Sequence, residues 1–295
     1  MNYSDIYIVI PVHNRKEFTK ACLHSLRRQR VNGFNVVVVD DGSTDGTVDV
    51  LRQQFPEILY IPGDGTLWWS GAMNRGVTYA LEKGARYIVS LNNDTEAASD
   101  FVQSMSESAR KHPEALFGAY ILDIDTQRPE YGGSRMNWKE DNVQLLDILP
   151  AGKRKGLHEV THFPGRGLWI PSEVFTEIGL FDADYFPHTA ADYDFTLRAA
   201  SMGYKIFCNY DARIYSHVYA SGDWEIRLNF SLKNYIRHIT DIRGGGNLRV
   251  FIKFTMRHCP YEYRFRHLII GFIARIGGYH LRWLRHTINR SITSA

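Results

Sequence analysis

The chain has 295 residues, 44% hydrophobic and 23% charged, a balance that excludes a disordered chain, a collagen and a coiled coil. Cys22, Cys208 and Cys259 are widely spaced with no CxxC pair, which excludes a disulfide scaffold, suggests no zinc site and fits a reducing cytosol. The formal charge of +3 is unevenly placed: from Arg243 onward ten Lys/Arg face one acid, Glu262, a net +9, so residues 1–242 carry −6.

The first hundred residues alternate strand and helix signals. Ile6–Val12 is a β-rich apolar run, and Arg15–Arg30 has helical spacing through Phe18, Cys22, Leu23 and Leu26. Val36–Val39 reads as a strand apolar on both faces, and Thr44 opens a helix through Val48 and Leu51. Ile58–Ile61 is a short strand, Gly71–Glu82 a helix, Tyr87–Leu91 a strand, and Ser99–Lys111 a helix. This order predicts an α/β fold with a mostly parallel central sheet and helices on both faces. Gly118–Leu122 is a further strand signal, and residues 124–165 read as long loops with a hairpin. Regularity returns at Leu168–Ile170, near Ser172–Ile178, near Asp192–Met202 and at Lys205–Cys208. In the tail, Phe265, Leu268, Ile269, Phe272, Ile273, Ile276, His280, Leu284 and Ile288 fall on one helical stripe. Arg266, Arg275, Arg282 and Arg285 lie mostly off it, and Gly271, Gly277 and Gly278 weaken the helix. No signal peptide and no run of about 18 apolar residues is visible, so no spanning helix is expected.

Three clusters carry chemistry. Val39-Asp40-Asp41-Gly42-Ser43-Thr44 sets two acids at a strand's carboxyl end, where open α/β sheets bind ligands. A carboxylate only accepts, which suits a base N–H or ribose hydroxyls; the plainer reading is a turn capped by Ser43 or Thr44. No GxGxxG or Walker lysine motif is present, so a diphosphate would need another counter-charge, and a divalent metal is the obvious one. Leu91-Asn92-Asn93-Asp94 offers oxygens at the fourth strand's end, with Asn92 and Asp94 alternating; an Asx-turn is the alternative. Asp192, in ADYDFTLR, sits near a helix N-terminus, where it serves either as a general base or as a cap.

IVIPVHNR, VVVVDDGSTDGT, GAMNRG, LNNDTE and ADYDFTLRA, in this order over about residues 5–220, resemble glycosyltransferase family 2, inverting enzymes of the GT-A fold. LWWSGAMNRG followed by LNNDTE looks most like the bacterial rhamnosyltransferase branch, which builds O-antigen or capsule. The resemblance implies a GT-A domain over 1–220, with a nucleotide-sugar half (1–115) and an acceptor half (116–220). Residues 221–295 form a basic helical extension. The resemblance also implies residue roles. Pro11, His13 and Asn14 lie on the nucleotide, Asp41 (with Asp40 behind it) contacts the base, and Asn74 and Arg198 stand beside the nucleotide. Asn92 and Asp94 match the Asp-X-Asp signature with its first acid replaced, Asp94 and His217 hold Mg2+ or Mn2+, and Asp192 is the catalytic base. Trp68 and Trp69 either stack on a sugar or belong to the core. Gly165-Arg166-Gly167 faces the acceptor, and Arg166 meets a phosphate.

The implied reaction moves a sugar from a nucleoside-diphosphate sugar, dTDP-rhamnose first and a UDP-hexose second, to a hydroxyl of a polyprenyl-diphosphate-linked glycan. The basic, amphipathic residues 243–290 suit an anionic membrane surface, with packing on the domain or a dimer contact as alternatives. The expected location is cytoplasmic, peripheral on the inner face of the cytoplasmic membrane. No nucleic-acid signature accompanies the tail. A sugar nucleotidyltransferase and an inactive carbohydrate-binding or scaffold protein are the competing readings. The first would carry a Gly-rich loop where this chain has PVHNRKEF.

Overall fold

The computed structural model describes residues 2–146, 149–220 and 231–293. Strands β1 (Ile6–Val12), β2 (Asn35–Asp40), β3 (Leu59–Pro62) and β4 (Tyr87–Ser90) pair in parallel in the order β3-β2-β1-β4. The apolar residues of β1, β2 and β4 are mostly buried on both faces, as the valine run requires, while the edge strand β3 is only half-buried. Helices α1 (Lys16–Arg27), α2 (Thr47–Gln54) and α4 (Phe101–Lys111) cover one face and α3 (Trp68–Glu82) the other, with a separate apolar core on each side.

Beyond β4 the sheet changes direction. Strands β5 (Thr95–Ala97), β6 (Leu116–Asp123), β7 (Pro129–Tyr131), β10 (Leu157–Val160), β11 (Leu168–Pro171) and β12 (Ile206–Ser216) complete it. β11 runs antiparallel between β4 and β6, β12 is parallel to β6, and β10 and β5 lie antiparallel on β12. The loop-like stretch 124–165 also holds β8 (Ser134–Asn137) and β9 (Asn142–Leu145), a small separate pair. α5 (Ser172–Ile178) and α6 (Ala191–Ser201) pack on the α3 side of the sheet.

The starts of two helices differ from expectation. α2 starts at Thr47, not Thr44, because Gly46 is left-handed (φ 81°) and the Asp45 carboxylate accepts the Thr47 N–H (3.1 Å). α3 starts at Trp68, so both tryptophans belong to its first turn.

The chain divides into two compact units, one holding the sheet and the other made of Asn137–Asn142, His188–Ala190 and the chain from Tyr219 onward. The second unit contains α7 (Leu232–Thr240), α8 (Leu248–His258) and α9 (Tyr261–Thr293). Ser231 and Asn247 cap α7 and α8 by accepting the Asn234 and Val250 N–H groups (3.1 and 2.9 Å). Gly271, expected to weaken α9, makes room for Phe251: a Cβ there would lie 2.0 Å from the ring. Arg275, expected on the polar side, instead lies over the Phe251 ring at 3.7 Å, and burial pushes its pKa down to about 10. The expected stripe therefore divides. Phe272 packs edge-on to Phe251, while Phe265 (77% exposed), Ile269, Ile273 (67%) and Ile276 face outward. The side chains of Arg282, Leu284, Arg285, Ile288 and Arg290 lie outside the described residues. Among the described residues, no helix is long and apolar enough to cross a membrane.

Candidate active site

The parallel strands β2, β1 and β4 end side by side, which brings the loops 13–16, 41–46 and 91–94 together at one edge of the sheet. Pro11 is still within β1, opposite Val39. The next loop is tied to its neighbour by four hydrogen bonds. His13 Nδ1–H donates to Asp41 O (2.6 Å), Asn14 N–H to Ser43 Oγ (2.6 Å), Thr44 N–H to Asn14 Oδ1 (2.8 Å), and Lys16 N–H to Asp45 Oδ2 (2.9 Å). The polar groups of His13 and Asn14 thus brace the two loops that would border a nucleotide.

The two acids after the valine run do different work. Asp40 accepts the Ser43 N–H at Oδ1 (2.7 Å), and its buried Oδ2 has no partner. Asp41 accepts the N–H groups of Gly65 (2.8 Å) and Leu67 (3.2 Å) at Oδ1 and of Trp68 (3.0 Å) at Oδ2. It therefore caps the start of α3, where the helix dipole favours its charge. Gly63 permits this approach, since a Cβ there would sit 2.8 Å from Asp41 Oδ1. The tryptophans diverge as well. Trp68 is 40% exposed with a left-handed backbone (φ 55°). Trp69 turns inward, donates Nε1–H to Asn92 Oδ1 (3.0 Å) and meets Phe181 edge-on at 5.2 Å.

Asn92 and Asp94 follow β4. With Asn92 Oδ1 engaged by Trp69, Asp94 is the one carboxylate in this run. Its Oδ2 pairs with Arg15 Nη1 at 3.0 Å, and its Oδ1 is buried without a hydrogen-bond partner. His217 lies alongside: its backbone N–H donates to Asp94 O (3.0 Å) and its Nε2 is 3.3 Å from Glu96 Oε1. An orphaned carboxylate oxygen suits a divalent cation that draws its remaining ligands from phosphate and water; the His217 ring itself is turned to Glu96 and, edge-on, to Phe18 (4.9 Å). Among the described residues, no group of three or more His, Cys, Asp or Glu is arranged to hold a metal alone.

Across the site, Asp192 is the second residue of α6. It accepts Gly165 N–H at Oδ2 (2.8 Å) and Tyr193 N–H at Oδ1 (2.9 Å). Burial raises its pKa above the ordinary 3.8, against the pull of those N–H groups and of the Arg166 charge. Arg166 Nη1 donates to Glu130 Oε1 and Ser216 Oγ, both at 2.8 Å. Burial works against its charge, but Glu130, aided by Asp94 and Tyr193, outweighs that and holds its pKa above the ordinary value. The guanidinium is thus felt by both Asp94 and Asp192, the two carboxylates with chemical roles in the expected reaction.

Asn74 and Arg198 are held elsewhere. The Asn74 amide exchanges two hydrogen bonds with the Phe181 backbone (2.7 and 3.0 Å). Arg198 pairs with buried Asp194 (2.9 Å) and donates to Ile178 O (2.6 Å) and Leu180 O (2.8 Å). Both residues fix the 178–181 turn. Sequence reasoning did not select Arg15, Glu96, Glu130, Tyr193 or Ser216. Arg15 and Tyr193 lie inside quoted motifs, whereas Glu130 sits in the aperiodic stretch and carries no local signal.

The profile of glycosyl transferase family 2 matches residues 7–179. The dTDP-rhamnosyl transferase RfbF of Shigella flexneri is 22% identical over 282 residues, covering 92% of this chain and 86% of that protein. A PGL/p-HBAD biosynthesis glycosyltransferase of Mycobacterium bovis (strain BCG) is 30% identical over 200 residues, covering 66% of this chain and 69% of its own length. Among solved structures, GalNAc-T7 with UDP, GalNAc and Mn2+ superposes with a TM-score of 0.61 at 16% identity, over 89% of this chain and 54% of that one. S. aureus TarS 1–349 superposes at 0.54 with 14% identity, over 92% and 80%. The likeness to these structures shows a GT-A fold. The chain belongs to glycosyl transferase family 2.

Proposed function

We propose that this glycosyltransferase moves a sugar from a nucleoside-diphosphate sugar to a hydroxyl of a lipid-linked glycan with inversion at the anomeric carbon. The carrying observation is Asp192: a carboxylate of raised pKa, aimed by two backbone N–H groups and set across from Asp94 by their shared neighbour Arg166. Asp192 takes the acceptor hydroxyl proton as that oxygen attacks the anomeric carbon from the face opposite the diphosphate. The two N–H groups keep the base oriented, and Arg166 stabilises its ionised form. Mg2+ or Mn2+, held by Asp94 with His217 beside it, would supply positive charge for the departing diphosphate. The orphaned Asp94 oxygen supports that assignment, as does the Mn2+ in the GalNAc-T7 structure. Asp41, Asp40, Pro11, His13, Asn14 and Asn92 border the nucleotide, and Trp68, exposed at the start of α3, is offered to the sugar. Asn74 and Arg198 act here by fixing the 178–181 turn.

The donor is dTDP-rhamnose, in keeping with RfbF, with a UDP-hexose second. The acceptor is a polyprenyl-diphosphate-linked glycan at the inner face of the cytoplasmic membrane. The exposed Phe265, Ile269, Ile273 and Ile276 of α9, in a segment of net charge +9, support docking on an anionic leaflet. A panel of sugar nucleotides, each with Mg2+ or Mn2+, is scored by the rise in melting temperature and then by release of nucleoside diphosphate with acceptor lipid present. dTDP-rhamnose is expected to lead, and Asp192→Asn to bind donor without transferring it. Turnover by Asp192→Asn refutes the proposed base.

A further inference from the structure

Arg15 takes no part in the displacement described above, yet the chain is bent to place it. Asn14 and Arg15 are consecutive non-glycine residues in the left-handed region (φ 59° and 62°). Such conformations persist only where the surroundings hold them, and they cluster at ligand clamps. Here the four hydrogen bonds between the 13–16 and 41–45 loops supply the hold. The bend starts α1 at Lys16 and sends the Arg15 side chain onto Asp94, with Nη1 3.0 Å from Oδ2. Arg15 is 36% exposed at its side chain, against 12% for Asp94, so the guanidinium covers the carboxylate from the solvent side.

Asp94 is also the one carboxylate left of the Asp-X-Asp pattern, because the other position is the neutral Asn92. A divalent cation must therefore share one carboxylate with a guanidinium already on it. Arg166 adds a second positive charge that Asp94 feels, but Glu130 and Ser216 hold that group in place. Arg15 has the more exposed side chain of the two (36% against 26%). A diphosphate entering beside Asp94 brings the negative charge that Arg15 would lose.

We propose that Arg15 is the counter-cation of Asp94 in the free enzyme. A divalent metal displaces it, and it passes to the donor's diphosphate, so that metal and diphosphate bind in concert. This rests on the reading of Asp94 as the metal-holding residue. The consequence is reciprocal coupling: metal alone binds weakly because Arg15 opposes it, and each ligand strengthens the other.

The test is titration calorimetry of the full chain with Mn2+ alone and with Mn2+ plus inorganic pyrophosphate. Arg15→Gln is expected to bind Mn2+ alone about tenfold tighter than wild type, which is about 1.4 kcal/mol. Its gain from pyrophosphate is expected to shrink by about the same factor. Arg15→Lys keeps the charge without the planar fork and is expected to fall between the two. Arg15→Gln with wild-type values in both titrations overturns the inference. If Arg15→Gln fails to fold, Arg15→Lys carries the test, and its equality with wild type overturns it. Asp94→Asn separates the two levels. If it loses Mn2+ while the Arg15 variants behave as wild type, the Arg15 assignment alone fails. If it retains Mn2+, the metal role of Asp94 fails and the inference with it.

Discussion

Replacing Gly165 by alanine tests whether the base is positioned by close packing. A Cβ at this residue would lie 2.4 Å from Trp69 Cζ2 and 2.8 Å from Cη2. Carbon atoms rest at roughly 3.5–4.0 Å, so one partner must retreat by about 1 Å. Trp69 is a poor candidate to move, because its Nε1–H is committed to Asn92 (3.0 Å) and its ring abuts Phe181. The Gly165 backbone yields instead, and its N–H is one of the two that aim Asp192 (2.8 Å). Overpacking of this size costs about 1–3 kcal/mol. At roughly 2–4 °C per kcal/mol, the melting temperature is expected to fall by about 2–12 °C. A 1 Å misplacement of a reacting group costs on the order of 10²-fold in rate, so kcat is expected to fall far more than stability does. Thermal unfolding and steady-state transfer, with the donor that leads the panel, measure the two effects. Gly165→Ala with wild-type kcat and melting temperature would refute both the packing argument and the placement of Asp192.

The raised pKa of Asp192 has two consequences with definite signs. Only the ionised form is a base, so kcat/KM falls on the acid side at a pH above the ordinary 3.8 of an aspartate, and a plateau continuing down to that value counts against the role. The folded state binds this proton more tightly than the unfolded state, so the group's contribution to stability grows as pH falls from the folded pKa to the unfolded one. Asp192→Asn is accordingly expected to be at least as stable as wild type at neutral pH while transferring no sugar, which denaturant titration checks. Arg198→Met removes an ion-pair partner of buried Asp194 and the donor to two carbonyls, and is expected to cost about 3 kcal/mol; unchanged denaturation with lost nucleotide binding would instead return Arg198 to the nucleotide. Phe265→Asp with Ile273→Asp adds two acids to the outward face of α9 and is expected to lower flotation with anionic vesicles about tenfold or more, while an unchanged fraction bound removes the membrane proposal.

The legible part of this protein is the part where one physical signal suffices. β1, β2 and β4 are buried on both faces, and uninterrupted Ile/Val runs announce them. β12 shows where that signal stops. Its register shifts between Asn209 and Arg213, and the strand signal in the sequence stops just before, at Cys208. From the bulge onward, Tyr210, Ala212, Ile214 and Ser216 are buried while Asp211 and Arg213 are exposed, a period of two. The strand was thus readable in two halves, and the missing half is the one that carries Ser216 to Arg166 and His217 to Asp94.

The same distinction separates the site residues. Asp41, Asp94 and Asp192 stand at strand ends or a helix start, places that local sequence marks. What each does next depends on groups distant along the chain: Asp41 on the N–H groups of 65–68, Asp94 on Arg15, and Asp192 on Gly165. Asn74 and Arg198 carry equally good motif signals, yet their partners are the backbone of 178–181. A polar residue within a motif is therefore placed by the motif, but its role follows from which distant backbone or charge the fold brings to it. Arg15 is the clearest instance. Its neighbours in sequence announce only the end of a strand and the start of a helix, and its pairing with a carboxylate 79 residues away is what brings it to the site.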